Sequence, residues 1–368
     1  MNANDAHRCW VEIDTTALRH NAHVARARVG PAVELMAVIK ANGYGHGLAA
    51  VAKALADQAQ SFGVANLREA LEARTVVPHP LLILGPALPE EREAITEGGF
   101  IASISSASEA QEFARAANGK AALVNCAVDT GMGRMGIAEV HAIDELRRIA
   151  SLPQVEIHSI STHLPSSDEE PEFTREQLQR FTKLVAAIRE QIPGRYKVHA
   201  LSSGGVLGFC DSCFDIVRAG LMLYGVSPAP EFQAGLRAPL TWKSHIVLVR
   251  EVAPGTSVSY GRTWFAQRPT RIATLSVGYA DGYPRSLSGR GASVLVRGRR
   301  CPVIGRVTMD LTMVDVTDVS SVNVGDEVVL LGRDGAEEIS AREVAERAGT
   351  IAWEIFTGIG SRVARVYV

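Results

Sequence analysis

The stretch ELMAVIK, residues 34–40, runs straight into ANGYGHG, residues 41–47, and this junction sets the reading of the chain. A short apolar run of strand character ends in a lysine, and glycines at 43, 45 and 47 then turn the chain sharply. Working outward, strand-like runs recur at Ser61–Ala65, Leu81–Leu84, Phe100–Ile104, Ala121–Asp129, Val155–Thr162, Tyr196–Leu201 and Phe214–Val217. Helical patterns lie between or beside them, at Thr16–Val29, Asn66–Arg74, Pro89–Gly98 and Pro171–Ile192. Pro171 fits a first helical turn, where its missing N–H costs nothing. Eight strand–helix repeats point to a parallel (β/α)8 TIM barrel, with an open doubly wound sheet as the competitor.

After Ser227 the text changes. SPAPEFQAGLRAP, residues 227–239, reads as a linker, and β-rich segments follow: WKSHIVLV, RIATLSVGY, ASVLVRGRRCPVIG, LTMVDV and DEVVLLG. One helix, Ala341–Ala348, interrupts them, and RVARVYV closes the chain as a strand. The predicted organisation is an α/β barrel over residues 11–233 and a mostly antiparallel β-domain over 234–368, with residues 1–10 open to joining the second.

Composition narrows the function classes. With 46% hydrophobic and 21% charged residues and a net charge of -2, the chain is of ordinary globular type and lacks the basic field that nucleic acid or an anionic membrane surface would need. A small-molecule partner fits better. Five cysteines are an odd number, and the Cys210–Cys213 pair has no second ligand pair at metal spacing, so reduced thiols and no metal are expected. MNANDAHRCW has no secretory character and no run reaches the ~18 apolar residues of a membrane span, which makes the cytoplasm the expected location.

Lys40 carries the chemistry. In a barrel, residues at the C-terminal ends of strands face the mouth of the site. A lysine emerging from LMAVI meets partly apolar surroundings, which lower its pKa and free the amine to attack a carbonyl. Gly43, Gly45 and Gly47 allow close backbone approach, and the Tyr44 hydroxyl suits a phosphate oxygen. In isolation, Lys40 would read as a surface lysine beside a turn.

The whole string VIKANGYGHG, residues 38–47, resembles the pyridoxal-phosphate attachment site of the alanine racemase family. Further blocks resemble that family in its own order: VDTGMGRMG (128–136), THLPSSD (162–168), VRAGLMLYG (217–225), SYGRTW (259–264), GYADGYPR (278–285) and GRVTMD (305–310). GMGRMG also fits the dinucleotide pattern, but the acidic residue needed ~20 positions on is not at a strand end: Glu156 starts its strand.

The resemblance implies a homodimeric isomerase that interconverts L- and D-alanine and supplies D-alanine to the cell wall. It implies that Lys40 holds pyridoxal 5'-phosphate and acts as base on one face of the substrate, and that Tyr260 of the second subunit serves the other. Arg218 would donate to the cofactor's pyridine nitrogen, with His163 between Arg218 and Tyr260. Tyr44, Ser203, Gly220 and Leu221 would hold the phosphate, Arg134, Met309 and Asp310 would receive the substrate, and Tyr279 would line its entry path.

Two proton-exchanging groups are what racemisation needs, because a single base tends to return the proton to the face it left. A permanently charged Arg218 leaves the pyridine nitrogen largely unprotonated, which weakens the electron sink and limits side reactions. Three positions depart from the family. Ala127 stands where many members carry a lysine, often carbamylated, so either an anion such as chloride or a polar group such as Asn125 is expected beside Arg134, or packing alone orients it. Ser202 replaces a common asparagine, and Ser361 falls where some members place a phosphate-binding tyrosine.

The competing readings are a decarboxylase of the related fold, a racemase of broader amino-acid specificity, and a non-catalytic pyridoxal-phosphate carrier. The first would place an acidic residue where Arg218 stands, and the last would lack the β-domain.

Overall fold

Strands that are apolar along their whole length, such as Leu35–Met36–Ala37–Val38, have to be covered on both faces, and a parallel sheet wrapped by helices does this. A computed structural model describes residues 7–368 and divides them into two compact units. One consists of Thr16–Gly43 and Gly47–Arg237; the other takes the chain up to Thr15, Tyr44–His46 and Ala238–Val368. Residues 1–6, part of the segment read as lacking a secretory signal and as open to joining the β-domain, lie outside the described residues.

The first unit holds eight parallel strands: Glu34–Val38, Ser61–Val64, Leu81–Ile83, Ile101–Ile104, Ala122–Asp129, Val155–Ser161, Lys197–His199 and Ile216–Ala219. Each pairs with the next, and the eighth returns to the first in the register Arg218↔Met36 and Ala219↔Ala37. That pairing closes the sheet into a barrel and excludes the open doubly wound alternative. Met36, Leu82, Ile101 and Ile216 form one of its buried clusters.

Two of the helices start on the same device. Asn66 accepts from the Glu69 N–H at 3.1 Å while the Glu69 carboxylate accepts from the Ala65 N–H at 2.8 Å. Ser106 and Glu109 repeat the arrangement at 3.1 and 2.8 Å. Helices Leu48–Leu55, Ala107–Ala116 and Ala142–Ala150 were not picked out by periodicity. In Leu48–Leu55 the cause is clear: LAAVAKAL is apolar nearly all round, and shows no polar face.

The second unit is built on one long strand, Leu240–Val252. It pairs antiparallel with Cys9–Ile13, Glu327–Asp334 and Thr270–Leu275, and register shifts within it let a single strand serve several neighbours. The closing strand, Ala364–Tyr367, runs parallel to Cys9–Ile13, the one parallel pair among named strands of this unit. Trp242 meets Tyr283 edge-on with ring centroids 6.0 Å apart. Beside Ala341–Ala348 there is a second helix, Ala352–Thr357, which the sequence reading left out. With only six residues, it is too short to display a period.

Gly45 belongs to this unit, with φ +79° and no room for a Cβ, which would strike the Phe356 carbonyl. Gly99, at φ +62°, has nothing within 4 Å of the same position. Gly99→Ala is therefore expected to cost about 1 kcal/mol, the conformational penalty alone. Gly45→Ala should cost ~3 kcal/mol or more, because the clash adds to it. Thermal melts of the two variants check this, and equal shifts would refute it.

Candidate active site

Lys40 does not end its strand, as the sequence suggested. The strand stops at Val38, and Lys40 opens the turn Lys40–Tyr44. Ala41, Asn42 and Gly43 take left-handed φ/ψ values of 54°/52°, 55°/46° and 60°/44°, and Tyr44 follows at φ 51°. For the residues that are not glycine this conformation costs about 1–2 kcal/mol each.

Hydrogen bonds offset the strain. Gly43 N–H donates to the Ile39 carbonyl at 2.8 Å, Gly47 N–H to the Asn42 carbonyl at 2.9 Å, and Leu48 N–H to Asn42 Oδ1 at 3.0 Å. Glu69, already spent on its own helix start, also accepts from the Asn42 N–H at 3.3 Å. The result is a lysine held at the strand ends by its backbone, not by a partner on its amine.

Burial lowers the Lys40 pKa from its ordinary value, Arg134 and Arg218 lower it further, and Glu69 opposes them. The amine is thereby moved toward its neutral, nucleophilic form.

Arg218, on the eighth strand, is 6% exposed. Its Nη2 donates to the carbonyls of Thr162 at 2.7 Å and Ala200 at 2.8 Å, with a longer 3.3 Å contact to His163 Nδ1. Its Nη1 donates to His199 Nδ1. Burial, with Arg134 adding to it, pulls Arg218 down to about 10, which leaves it charged at neutral pH.

A guanidinium only donates, so both histidines must present a lone pair to it and stay neutral. Burial first, then Arg218, Arg134 and Lys40, push His163 down to about 3. Burial and Arg218 hold His199 well below its usual value.

His199 was missed at the sequence level; a histidine at the end of a barrel strand was the available signal. From it a buried chain of bonds continues. His199 Nε2 lies 3.3 Å from Ser159 Oγ, which donates to Asn125 Oδ1 at 3.0 Å. Asn125 Nδ2 donates to Ser103 Oγ at 3.2 Å and Ser161 Oγ at 3.0 Å.

Asn125 is thus engaged by three serines and is not the polar partner for Arg134 that was one of the alternatives open from the sequence. Arg134 sits instead on a turn fixed by its backbone. Asp129 accepts from the N–H groups of Gly131, Met132 and Gly133 at 2.9, 2.8 and 2.9 Å. Burial pushes the Asp129 pKa up, but those three donors outweigh it and hold the carboxyl below its usual range.

The other barrel candidates lie at the same strand ends. Ser203 follows the seventh strand, and its hydroxyl accepts from Gly220 N–H at 3.0 Å and Met222 N–H at 3.2 Å, beside the short helix that begins at Leu221. Both lone pairs are used, so the hydroxyl proton is left to donate.

In the second unit, burial raises Tyr44 to about 12, which keeps its phenol protonated as a donor. Three distant blocks converge in that unit. Ser259 Oγ donates to the Arg306 carbonyl at 2.6 Å. Tyr279 N–H donates to the Thr308 carbonyl at 3.0 Å, and Ala280 N–H to that of Met309 at 2.9 Å. Asp310 is ion-paired with Arg362 at 2.7 Å, and Arg362 also meets the buried Asp281 at 2.8 Å. Tyr260, Tyr279 and Met309 are 71%, 41% and 53% exposed, and Ser361 is exposed as well.

Comparison with known proteins gives the family and the fold. Residues 13–228 match the model of the alanine racemase N-terminal domain, and 239–367 that of the C-terminal domain. The chain belongs to the alanine racemase family. It is 43% identical over 364 residues to an alanine racemase of Methylacidiphilum infernorum, covering 98% of this chain and 92% of that one. The solved alanine racemase of Clostridium difficile superposes with a TM-score of 0.93 at 30% identity, over 99% and 96% of the two chains. That of Bacillus anthracis, solved with bound L-Ala-P, gives 0.91 at 33%, over 99% and 95%. As a member of this family the chain is an amino-acid isomerase.

The depressed His163 has a consequence for stability. Unfolded, it titrates near 6.5; folded, near 3. Between these values the unfolded chain binds a proton that the folded chain does not, so stability falls as pH drops below about 6.5 and levels off near 3. His163→Gln should lose less melting temperature than the parent between about pH 7 and about pH 5. Parallel pH profiles of the two proteins would contradict this.

Proposed function

We propose that the protein interconverts L- and D-alanine in the cytoplasm as a homodimer, supplying D-alanine for the cell wall, with pyridoxal 5'-phosphate held on Lys40. One observation carries the reading. A lysine with a lowered pKa shares the barrel mouth with a buried arginine whose hydrogen-bonding partners, among the described residues, include no carboxylate.

The donor set suits the cofactor. The Lys40 amine would hold its aldehyde, the hydroxyls of Ser203 and Tyr44 with the Gly220–Leu221 backbone would hold its phosphate, and Arg218 would donate to its ring nitrogen. When bound, pyridoxal phosphate supplies an electron sink that acidifies the α-hydrogen of the substrate. Arg218 keeps its own proton, so that sink stays moderate and favours racemisation over decarboxylation.

The chain's own groups then handle the proton. Lys40 takes or gives it on one face, and Tyr260 of the second copy does so on the other. Exposure of the Tyr260 side chain on the β-unit of one chain suits service in a neighbour's site. His163 keeps its Nδ1 lone pair toward Arg218, so its neutral ring carries the proton on Nε2, where it can donate to the tyrosine oxygen and favour the phenolate. Arg134 binds the substrate carboxylate, with Met309 and Asp310 beside it, and Tyr279 lines the entry path. A carrier protein has no use for the second unit or for Tyr260.

Lys40→Ala should lose the pyridoxal phosphate that borohydride fixes to the native protein, and racemisation should fall by several powers of ten. Near-normal turnover in this variant would remove the central claim. Tyr260→Phe should retain the cofactor yet lose on the order of 10²-fold in turnover, with the larger loss in α-deuterium wash-out from L-alanine. Equal wash-out from both enantiomers would contradict the assignment of faces.

A further inference from the structure

Ser259 occupies a region of backbone space that belongs to glycine, with φ 68° and ψ −177°. It stands directly before Tyr260. A serine retained under such strain needs a compensating interaction, and one is present: its Oγ donates to the Arg306 carbonyl at 2.6 Å, across 47 residues of sequence.

The two backbones lie in direct contact there. A Cβ on Gly305, at φ +67°, would come within 2.7 Å of the Val258 carbonyl oxygen and 2.8 Å of Ser259 Cβ. On the far side of the tyrosine, a Cβ on Gly261 would lie 2.9 Å from Arg306 Nη1. Arg262 closes the loop: its N–H donates to the Ser259 carbonyl at 3.3 Å and its Nε to Ser257 Oγ at 3.1 Å. The tyrosine therefore leaves a backbone fixed on both sides, while its own side chain is 71% exposed.

We infer that Ser259 is a positioning residue for Tyr260: its strained backbone and its bond to the Arg306 carbonyl together set the direction in which the tyrosine ring leaves the chain. This rests on the reading that Tyr260 exchanges the substrate proton. Proton transfer requires heavy atoms about 3 Å apart, so a base that wanders by about 1 Å loses much of its rate. Glycine at 259 would reach the same conformation without strain, and many others as well. The hydroxyl makes one of them the ground state.

The test uses the full-length holoenzyme with pyridoxal phosphate bound. Ser259→Gly and Ser259→Ala are made in the native sequence and in Tyr260→Phe, with L- and D-alanine as substrates. Both variants lack the hydroxyl, but only alanine keeps the strain. Ser259→Gly is therefore expected to melt about 2–4 °C above Ser259→Ala, the reverse of the usual order for these residues. Both should lower kcat on the order of 10-fold with KM changed less than about two-fold. In the Tyr260→Phe background neither should lower kcat by more than about two-fold further.

Ser259→Ala melting at or above Ser259→Gly would overturn the strain, and equal fold-losses in both backgrounds would overturn the positioning role. A Tyr260→Phe enzyme with normal turnover is a different failure, which overturns the two-base reading itself, whatever the melting order.

Discussion

A positive charge buried without a counter-charge organises the barrel's interior. Among the described residues Arg218 hydrogen-bonds to no carboxylate; two backbone carbonyls and two imidazole nitrogens meet it instead. Removing a guanidinium from water is costly, and burial without those acceptors would expel or deprotonate it. Because it can only donate, it dictates the state of its neighbours: His163 and His199 each turn Nδ1 toward it and remain neutral. For His199 the constraint travels further, through Ser159 and Asn125 to Ser103 and Ser161, every donor in the chain pointing away from the arginine. A carboxylate at position 218 would instead require each histidine to donate from Nδ1.

Cations accumulate around this arginine. Arg134 and Arg218 both lower the pKa of Lys40, Arg134 also lowers that of Arg218, and Glu69 offsets the positive charge at Lys40. Repulsion of this kind makes a site receptive to anions such as a carboxylate or a phosphate. It also has to be held together by something other than side-chain pairing. Backbone capping does this: Asp129 ties three consecutive N–H groups below Arg134, and Asn42 with Glu69 ties the left-handed turn after Lys40. The charged tips are left available because the restraint is applied at the main chain.

The same division recurs in the β-unit. Tyr260, Tyr279 and Met309 project exposed side chains from segments tied to one another, the first through the Ser259 hydroxyl and the Arg306 carbonyl, the other two main chain to main chain. Glycine at 278 and 305 is what permits the contact, since a Cβ at either would collide with the neighbouring main chain. Strain at Ser259 and in the turn 41–44 is thus concentrated beside residues proposed to act on the substrate.

Much of this was legible in the sequence, where local rules and contiguous motifs suffice. Alternating apolar runs and helical patterns named the barrel, and VIKANGYGHG marked Lys40. VDTGMGRMG and SYGRTW marked Arg134 and Tyr260 through a family likeness that a short string can carry. Some helices escaped for local reasons, being short or apolar all round, but the larger features the sequence left out are made by residues far apart in the chain. The pairing of the eighth strand with the first, which decides between barrel and open sheet, joins Arg218 to Met36. The strand Cys9–Ile13 lies against Ala364–Tyr367 from the opposite terminus. Asn125 looked available to Arg134, and only packing shows its amide surrounded by serines from neighbouring strands. The sequence by itself determined which side chains are proposed to carry the chemistry, because reactivity belongs to residue type and motif. Tertiary structure alone decided the strain beside them, the setting of their backbones and the protonation of buried groups such as Lys40 and His163, because burial and hydrogen bonding exist only once distant segments have met.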